Sequence, residues 1–270
     1  MSTLVIVPTY NEAANILHTL DEIRMYLPEA DVLVVDDGSP DGTGDLVASR
    51  GLADPQIALL SRAGKSGLGD AYRAGFAHAL EHGYEIVAEM DADGSHPARR
   101  LPALVEALGF ADLAIGSRWA PGGSTAGWAR HRHLLSRMAS RYVRLLLGTR
   151  VSDATSGFRA FRAATLDTID ALSTVSNGYS FQIETLHRAH RSGAVITEVP
   201  IVFSERAHGR SKMSAGIVVE AFTRVIQWRR RPFRPLAQRR GELAQRPSSE
   251  GQRGDSASRR AESAPSLTKA

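Results

Sequence analysis

The chain has 270 residues, 33 Lys and Arg against 29 Asp and Glu for a formal net charge of +4, and 43% hydrophobic residues; that suffices for one large or two small domains with a proper core. It contains no cysteine, which excludes disulfides, zinc-thiolate centres and cysteine nucleophiles and fits a reducing cytoplasm. Stretches of about 18 or more apolar residues are absent, and residues 2–7 read as a strand rather than a signal peptide, so neither a membrane-spanning helix nor secretion is expected.

In chain order, apolar runs at 4–8, 32–36, 57–60, 85–90 and 113–116 alternate with helical patterns at 11–27, 41–50, 67–82 and 97–108. Such β-α alternation predicts a mostly parallel sheet covered on both faces, with ligands bound beyond the carboxyl ends of its strands. Polar clusters fall at three such ends. In the first, Pro8-Thr9-Tyr10-Asn11-Glu12, Asn11 suits a helix N-cap and Glu12 a first helical turn. In the second, Asp36 to Thr43, the residues Gly38, Pro40 and Gly42 shape a turn, while the adjacent carboxylates Asp36 and Asp37 need positive or hydrogen-bond-donating company, such as nucleoside hydroxyls or base N–H groups. Gly64-Lys65-Ser66-Gly67 is not a P-loop, because Leu59 and Leu60 stand where its first glycine would be sought. Lys65 stays a candidate phosphate contact.

The third cluster organises the chain. Residues 84–90 read as a buried strand ending in Asp91-Ala92-Asp93-Gly94, and a helix start follows at Pro97. In extended backbone, positions i and i+2 project to the same side, so Asp91 and Asp93 can reach one point beyond the strand. Two hard carboxylate ligands there suit Mg²⁺ or Mn²⁺ shared with substrate phosphates, although a solvated turn has the same composition.

Beyond Gly116 a loop runs to about Arg130, long enough to be functional or mobile. From about 130 to 148 the apolar residues Leu134, Leu135, Met138, Tyr142, Leu145 and Leu146 keep helical spacing among Arg130, Arg132, Arg137, Arg141 and Arg144, which fits either a helix in a membrane interface or a surface helix packed on a core. A polar turn at Ser152 to Arg159 leads into a short strand, Gly178 opens a helix to about His190, and 194–203 reads as one or two strands around Pro200. Residues 205–212 form a cation-rich loop suited to closing over phosphates. A second amphipathic helix near 214–228 brings Trp228 against Arg229, Arg230 and Arg231, an interfacial anchor pattern. From Arg229 onward eleven Lys and Arg face four acids, so the 229–270 tail carries +7 and residues 1–228 carry −3; this basic tail is expected to be disordered. Its candidate partners are anionic lipid or nucleic acid. Neither H-E-x-x-H nor G-x-S-x-G occurs. Of the histidines, His96 and His208 fall in the loops of interest.

Together these motifs, with Gly116-Ser117-Arg118, Ser156-Gly157-Phe158-Arg159, Gly178-Tyr179-Ser180-Phe181-Gln182 and Arg206-x-x-Gly209-x-Ser211-Lys212, resemble in order and spacing the dolichyl/polyprenyl-phosphate mannose synthases, in the forms without transmembrane helices. These are inverting family-two glycosyltransferases with the GT-A fold, a Rossmann-like, mostly parallel sheet flanked by helices. The resemblance covers residues 2–228, and implies a catalytic domain at 1–228 with interfacial helices and a separate tail. It implies mannose transfer, with inversion, from GDP-mannose to a polyprenyl phosphate, by a peripheral protein on the cytoplasmic face of the cell membrane. A membrane-protein partner is compatible with that position, and nucleic acid is not expected. Carried onto matching positions, Pro8, Tyr10, Glu12, Val35 and Asp37 would hold the nucleoside; Asp91, Ala92 and Asp93 would hold the donor and its Mg²⁺ or Mn²⁺, with Ser95 as a further ligand. Some members have Gln at that last position, and the shorter hydroxyl of Ser95 would reach a metal through water. Arg118, Arg132 and Ser136 would meet the lipid phosphate, and Arg206 and Lys212 would close over the donor phosphates. The alternatives are a polyprenyl-phosphate hexosyltransferase using a UDP-sugar, and a non-catalytic basic membrane- or nucleic-acid-binding protein.

Overall fold

The computed structural model describes residues 1–205, 215–230 and 233. In chain order the main elements are β1 (Thr3–Thr9), α1 (Ile16–Tyr26), β2 (Asp31–Asp36), α2 (Thr43–Ala53), β3 (Ile57–Ser61), α3 (Leu68–Glu81), β4 (Ile86–Glu89), α4 (Leu101–Ala107), β5 (Leu113–Ser117), β6 (Ser124–Thr125), α5 (Arg130–Leu147), β7 (Arg159–Arg162), α6 (Ala163–Thr168), α7 (Gly178–Arg191), β8 (Ile196–Pro200), β9 (Val202–Phe203) and α8 (Ala215–Arg230). Seven strands form one sheet in the order β3-β2-β1-β4-β7-β5-β8, while β6 and β9 pair separately. All sheet neighbours run parallel except β7, which is antiparallel to both β4 and β5. The expected architecture is therefore present.

Continuous apolar runs form the central strands because both faces are covered. Leu4, Ile6, Leu33, Val35 and Val87 pack with Tyr72 and Phe76 of α3 and Phe181 of α7, while Val5, Val7, Val32, Val34 and Ala88 pack with Ile16, Leu20 and Ile23 of α1 and Leu101 and Leu104 of α4. Alternate residues of each strand thus feed opposite layers. Helix α3 lies so close to β1 that a Cβ on Gly75 would come within 2.7 Å of the Ile6 side chain.

One local expectation is overturned. Asn11 does not cap a helix: its φ is 60°, and its backbone N–H donates to Ser39 Oγ at 2.9 Å. The chain first makes a turn closed by Asn15 and Ile16 N–H on the Glu12 carbonyl, and α1 begins at Ile16. A tertiary hydrogen bond to the next strand's loop has displaced the cap.

The C-terminal half of α7 holds His187, 3% exposed, with neither ring nitrogen hydrogen-bonded among the described residues and its ring stacked toward Trp228 of α8 at 6.2 Å. Burial, followed by the charges of Arg191 and His190, pushes its pKa down from 6.5 to about 4. The unfolded chain therefore takes up this proton first as the pH falls, so the stability is complete above pH 6.5 and is lost as the pH drops toward about 4. His187→Leu is expected to remove up to about 3 kcal/mol of this acid sensitivity, at ~1.4 kcal/mol per pKa unit. Urea midpoints at acidic and neutral pH check it; an unchanged pH slope in the variant contradicts it.

Candidate active site

The carboxyl ends of β1, β2 and β4 and the N-terminal residues of α3 and α7 surround one cleft of about 310 Å³. Pro8, Tyr10, Glu12 and Asp37 line one part of it and Asp91, Ala92 and Asp93 another; Thr155, Gly157, Asn177, Tyr179 and Gln182 complete the wall. The sequence-predicted clusters thus converge. Val35 is the exception among the nucleoside candidates, because its side chain is buried in the core behind Pro8, its partner across the β1–β2 register.

The protein itself supplies the donors that the two strand-end carboxylates require. Asp36 accepts from Thr9 Oγ1 at 2.8 Å, from Ser39 Oγ at 2.6 Å and from Ser39 N–H at 2.9 Å. Asp37 pairs with Arg62 at 2.7 Å and accepts from the Ser66 and Gly67 N–H groups. Only Asp37 also lines the cleft. Asp36 is a buried structural node, and Arg62, which carries no motif signal, was not foreseen. Lys65 stands over the Tyr10 ring at 4.3 Å, a cation-π contact at the rim of the cleft.

Asp91 and Asp93 follow the end of β4 and both line the cleft. Asp93 Oδ1 accepts from the Ser95 N–H and hydroxyl. Ser95 is 1% exposed and is absent from the cleft wall, so its geometry serves to hold Asp93. His96 Nδ1 accepts the Asp91 N–H at 3.0 Å, and its Nε2 lies 4.0 Å from Asp91 Oδ2, with the ring stacked on Phe158 at 5.1 Å. Tyr72 directs its hydroxyl at Asp91 Oδ1 from 3.5 Å, and its pKa is raised by burial and by the charge of Asp91. Among the described residues no three His, Cys, Asp or Glu cluster as a metal cage. Two carboxylates in one cleft fit a hard divalent cation that takes its remaining ligands from phosphate oxygens and water.

Behind these residues lies a buried pair that the sequence did not reveal. Glu89 and Arg159 are register partners across β4 and β7, and both are fully buried. Arg159 donates to the carbonyls of Ala154, Ser156 and Gln182 and to Thr185 Oγ1, tying the loop before β7 to α7. Burial brings its pKa down to about 10. Burial pushes Glu89 up to about 8, against the opposing charge of Arg159 and a hydrogen bond with the Gln182 side chain. The motifs around Gly157 and Gly178 are thus connected by one guanidinium.

At the end of β5, Arg118 is 5% exposed and forms a bidentate pair with Asp153, Nε at 2.7 Å and Nη2 at 2.6 Å, with Nη2 also donating to Thr155. Burial alone would lower its pKa, but the charge and hydrogen bonds of Asp153 outweigh that and raise it. Glu198 of β8 accepts from Ser152 N–H and Oγ and from Asp153 N–H, fixing the loop. Neither acid carried a sequence signal. Trp119, Trp128 and Phe203 place their rings within 5.3 to 5.5 Å of the Arg118 guanidinium. Arg132 lies over Trp128 at 4.1 Å, and Ser136 follows one turn later on the same side of α5. Arg206, His208 and Lys212 lie outside the described residues.

On α5 the predicted apolar residues Leu134, Leu135, Met138 and Leu145 face outward, whereas Tyr142 and Leu146 are half-buried. Tyr142 packs its ring, tilted by 42°, against Phe222 of α8 at 4.3 Å and donates to its carbonyl, and Arg229 donates to the Leu146 carbonyl. Phe222 and Ile226 extend the exposed apolar surface onto α8. No helix among the described residues is long and apolar enough to cross a membrane.

Comparison with known proteins shows the family and the fold. The model of glycosyl transferase family 2 matches residues 4–170. An undecaprenyl-phosphate mannosyltransferase of Micrococcus luteus is 50% identical over 228 residues, 84% of this chain and 94% of the relative. A polyprenol monophosphomannose synthase of Mycolicibacterium smegmatis is 47% identical over the same length, 84% of this chain and 86% of the relative. Among solved structures, glucosyl-3-phosphoglycerate synthase from Mycobacterium tuberculosis, crystallised with Mn²⁺, UDP and glucosyl-3-phosphoglycerate, superposes with a TM-score of 0.59 at 24% identity, covering 83% of this chain and 77% of that one. That likeness extends to the fold. With a matching domain model over more than half its length and two relatives of about half-identical sequence, the chain belongs to glycosyl transferase family 2.

Proposed function

We propose that this protein transfers mannose from GDP-mannose to a polyprenyl monophosphate with inversion, giving a β-linked polyprenyl phosphomannose that serves as a lipid-linked mannose donor. The observation that carries this reading is the placement of Asp91 and Asp93 in the same cleft as the nucleoside candidates, with Arg118 two strands away at the end of β5. In this account residues 1–228 are the catalytic unit and the basic 229–270 segment is accessory.

Pro8, Tyr10, Glu12 and Asp37 hold the nucleoside, with Val35 limited to backbone contact by its burial. Asp91 and Asp93 hold a divalent cation, Mg²⁺ or Mn²⁺, which when bound neutralises charge on the departing diphosphate. Ser95 keeps Asp93 oriented, and His96 does the same for Asp91. The N-terminal residues of α3 and α7 add partial positive charge to the wall. Arg206 and Lys212 are assigned the donor phosphates through the family resemblance. Arg118, Arg132 and Ser136 hold the acceptor phosphate; among the described residues Arg118 Nη1 makes no hydrogen bond.

The acceptor oxygen attacks the anomeric carbon as the bond to the diphosphate breaks, and the electron pair leaves with GDP. A phosphate monoester whose second ionisation lies near about pH 6 is already anionic at neutral pH, so no side chain has to remove a proton. Catalysis then rests on in-line placement and charge stabilisation. The outward apolar residues of α5 and α8, with Arg137, Arg141, Arg144, Arg229 and Arg230, seat the protein on an anionic bilayer where the prenyl chain is held. The cytoplasmic face of the cell membrane is the position this implies.

Donor choice is tested by calorimetric titration of GDP-mannose and UDP-glucose with Mg²⁺ present. GDP-mannose is expected to bind at least about tenfold more tightly, a difference of ~1.4 kcal/mol. Preference for UDP-glucose would keep the fold and replace the sugar.

A further inference from the structure

We propose that Thr155 positions the acceptor phosphate for attack, its hydroxyl donating a hydrogen bond to a phosphate oxygen where the acceptor meets the donor cleft. The inference rests on the transferase reading above and adds to it a residue to which that reading gives no role. Arg118, which holds the acceptor phosphate there, is not among the residues that line the cleft, so the attacking oxygen has to reach from one to the other. Thr155 belongs to both places: it is part of the cleft wall, and its Oγ1 accepts from Arg118 Nη2 at 2.9 Å. The other hydrogen-bond partner of this guanidinium among the described residues, Asp153, is fully buried and stands outside the wall.

The guanidinium fork indicates where the phosphate sits. Arginine carries one N–H on Nε and two on each Nη. Asp153 takes Nε at 2.7 Å and one hydrogen of Nη2 at 2.6 Å, a bidentate contact along one side of the fork. The second Nη2 hydrogen goes to Thr155, while Nη1 makes no hydrogen bond among the described residues. In a planar fork that second hydrogen lies on the Nη1 side, so a phosphate bound through Nη1 stands beside the Thr155 hydroxyl. The hydroxyl has a proton to give. Within the protein it donates to Asp153 Oδ1 at 3.5 Å, the long limit of a hydrogen bond, and that oxygen already takes Arg118 at 2.6 Å. An anionic phosphate oxygen in the cleft is the better acceptor, and the bond from Arg118 polarises the hydroxyl toward it.

The surrounding loop holds this hydroxyl still. Arg159 donates to the carbonyls on either side of it, Ala154 at 3.0 Å and Ser156 at 2.8 Å. Ser156 Oγ donates to the Gly116 carbonyl at 2.6 Å, which ties the loop to β5 just ahead of Arg118, and Glu198 accepts from the N–H groups of Ser152 and Asp153. A donor fixed before the substrate arrives needs no reorganisation during the reaction. The bond goes to an oxygen beside the attacking one, because a hydrogen bond to the nucleophile itself would draw charge from it. Thr155 keeps its proton throughout.

The test compares wild type, Thr155→Val and Thr155→Ser for kcat and for the KM of a polyprenyl phosphate, beside the calorimetric Kd of GDP and the melting temperature. Thr155→Val keeps the shape and removes the hydroxyl. Its kcat at saturating acceptor is expected to fall about 10²-fold with the GDP Kd nearly unchanged, whereas Thr155→Ser should stay within about threefold of wild type. A Val variant that keeps wild-type kcat at saturating acceptor overturns the proposal, even with a raised acceptor KM or a lower melting temperature, and makes Thr155 a support for Arg118 alone. Equal losses of kcat in the Val and Ser variants overturn it too, because the hydroxyl is then not what matters. Should the Val variant not fold, Thr155→Ala at this half-buried position carries the same comparison with Ser. If wild type transfers hexose from UDP-glucose alone, the mannose reading falls, and the same variants with that donor still decide Thr155.

Discussion

Replacing Asp91 with Asn is expected to lower mannose transfer by about 10³-fold, ~4 kcal/mol of transition-state stabilisation, with little change in folding stability. Asp91 lines the cleft and is partly exposed, and Asn keeps its shape while removing the charge that a divalent cation needs. Asp93→Ala should abolish transfer as well, but for two reasons, since it also releases the N–H and hydroxyl of Ser95 inside a buried turn. The two substitutions therefore separate chemistry from scaffold. Melting temperature should stay near wild type for Asp91→Asn and fall for Asp93→Ala, while both lose turnover. Near-wild-type turnover of Asp91→Asn with Mg²⁺ present would contradict the assignment of this pair.

Asp153→Ala is expected to be the most destabilising single change at the site. It strips the bidentate partner from Arg118, whose guanidinium is 5% exposed and surrounded by three aromatic rings. A buried charge left without its partner costs about 3–5 kcal/mol. For a domain of this size that is roughly a 10 °C drop in melting temperature. The double variant Arg118→Leu/Asp153→Leu should recover much of the stability, because an apolar pair replaces the ion pair without stranding a charge. It should not recover transfer, because Arg118 is assigned to the acceptor phosphate. Recovery of both would make the pair purely structural.

How much of this was legible in the chain differs from residue to residue. The strands could be read because parallel strands covered on both faces are written as uninterrupted runs such as Val32-Leu33-Val34-Val35. The Asp91–Asp93 pair could be read because strand periodicity alone places both side chains together beyond a strand end. What could not be read depends on contacts between distant segments. Asn11 has the composition of a cap, and only the hydroxyl of Ser39, 28 residues away, explains why it adopts a positive φ instead. Asp153 looks like an ordinary turn residue until β5 brings Arg118 to it from 35 residues upstream. Glu89 lay inside the run read as a buried strand and Arg159 at the end of the polar turn, and only antiparallel insertion of β7 beside β4 brings the two together, both fully buried. The apolar residues of α5 were open between two readings on periodicity alone, and the structure divides them: Tyr142 packs on Phe222, whereas Leu134, Leu135, Met138 and Leu145 are exposed.

The central claim is mannose transfer to a polyprenyl phosphate. Its most direct test incubates the full chain with radiolabelled GDP-mannose, Mg²⁺ and polyprenyl phosphate in vesicles, with and without EDTA, and counts label extracted into butanol. The account predicts a metal-dependent, mild-acid-labile mannolipid that disappears with EDTA and in Asp91→Asn. No labelled lipid from GDP-mannose under these conditions, with the protein folded and the vesicles intact, would contradict it.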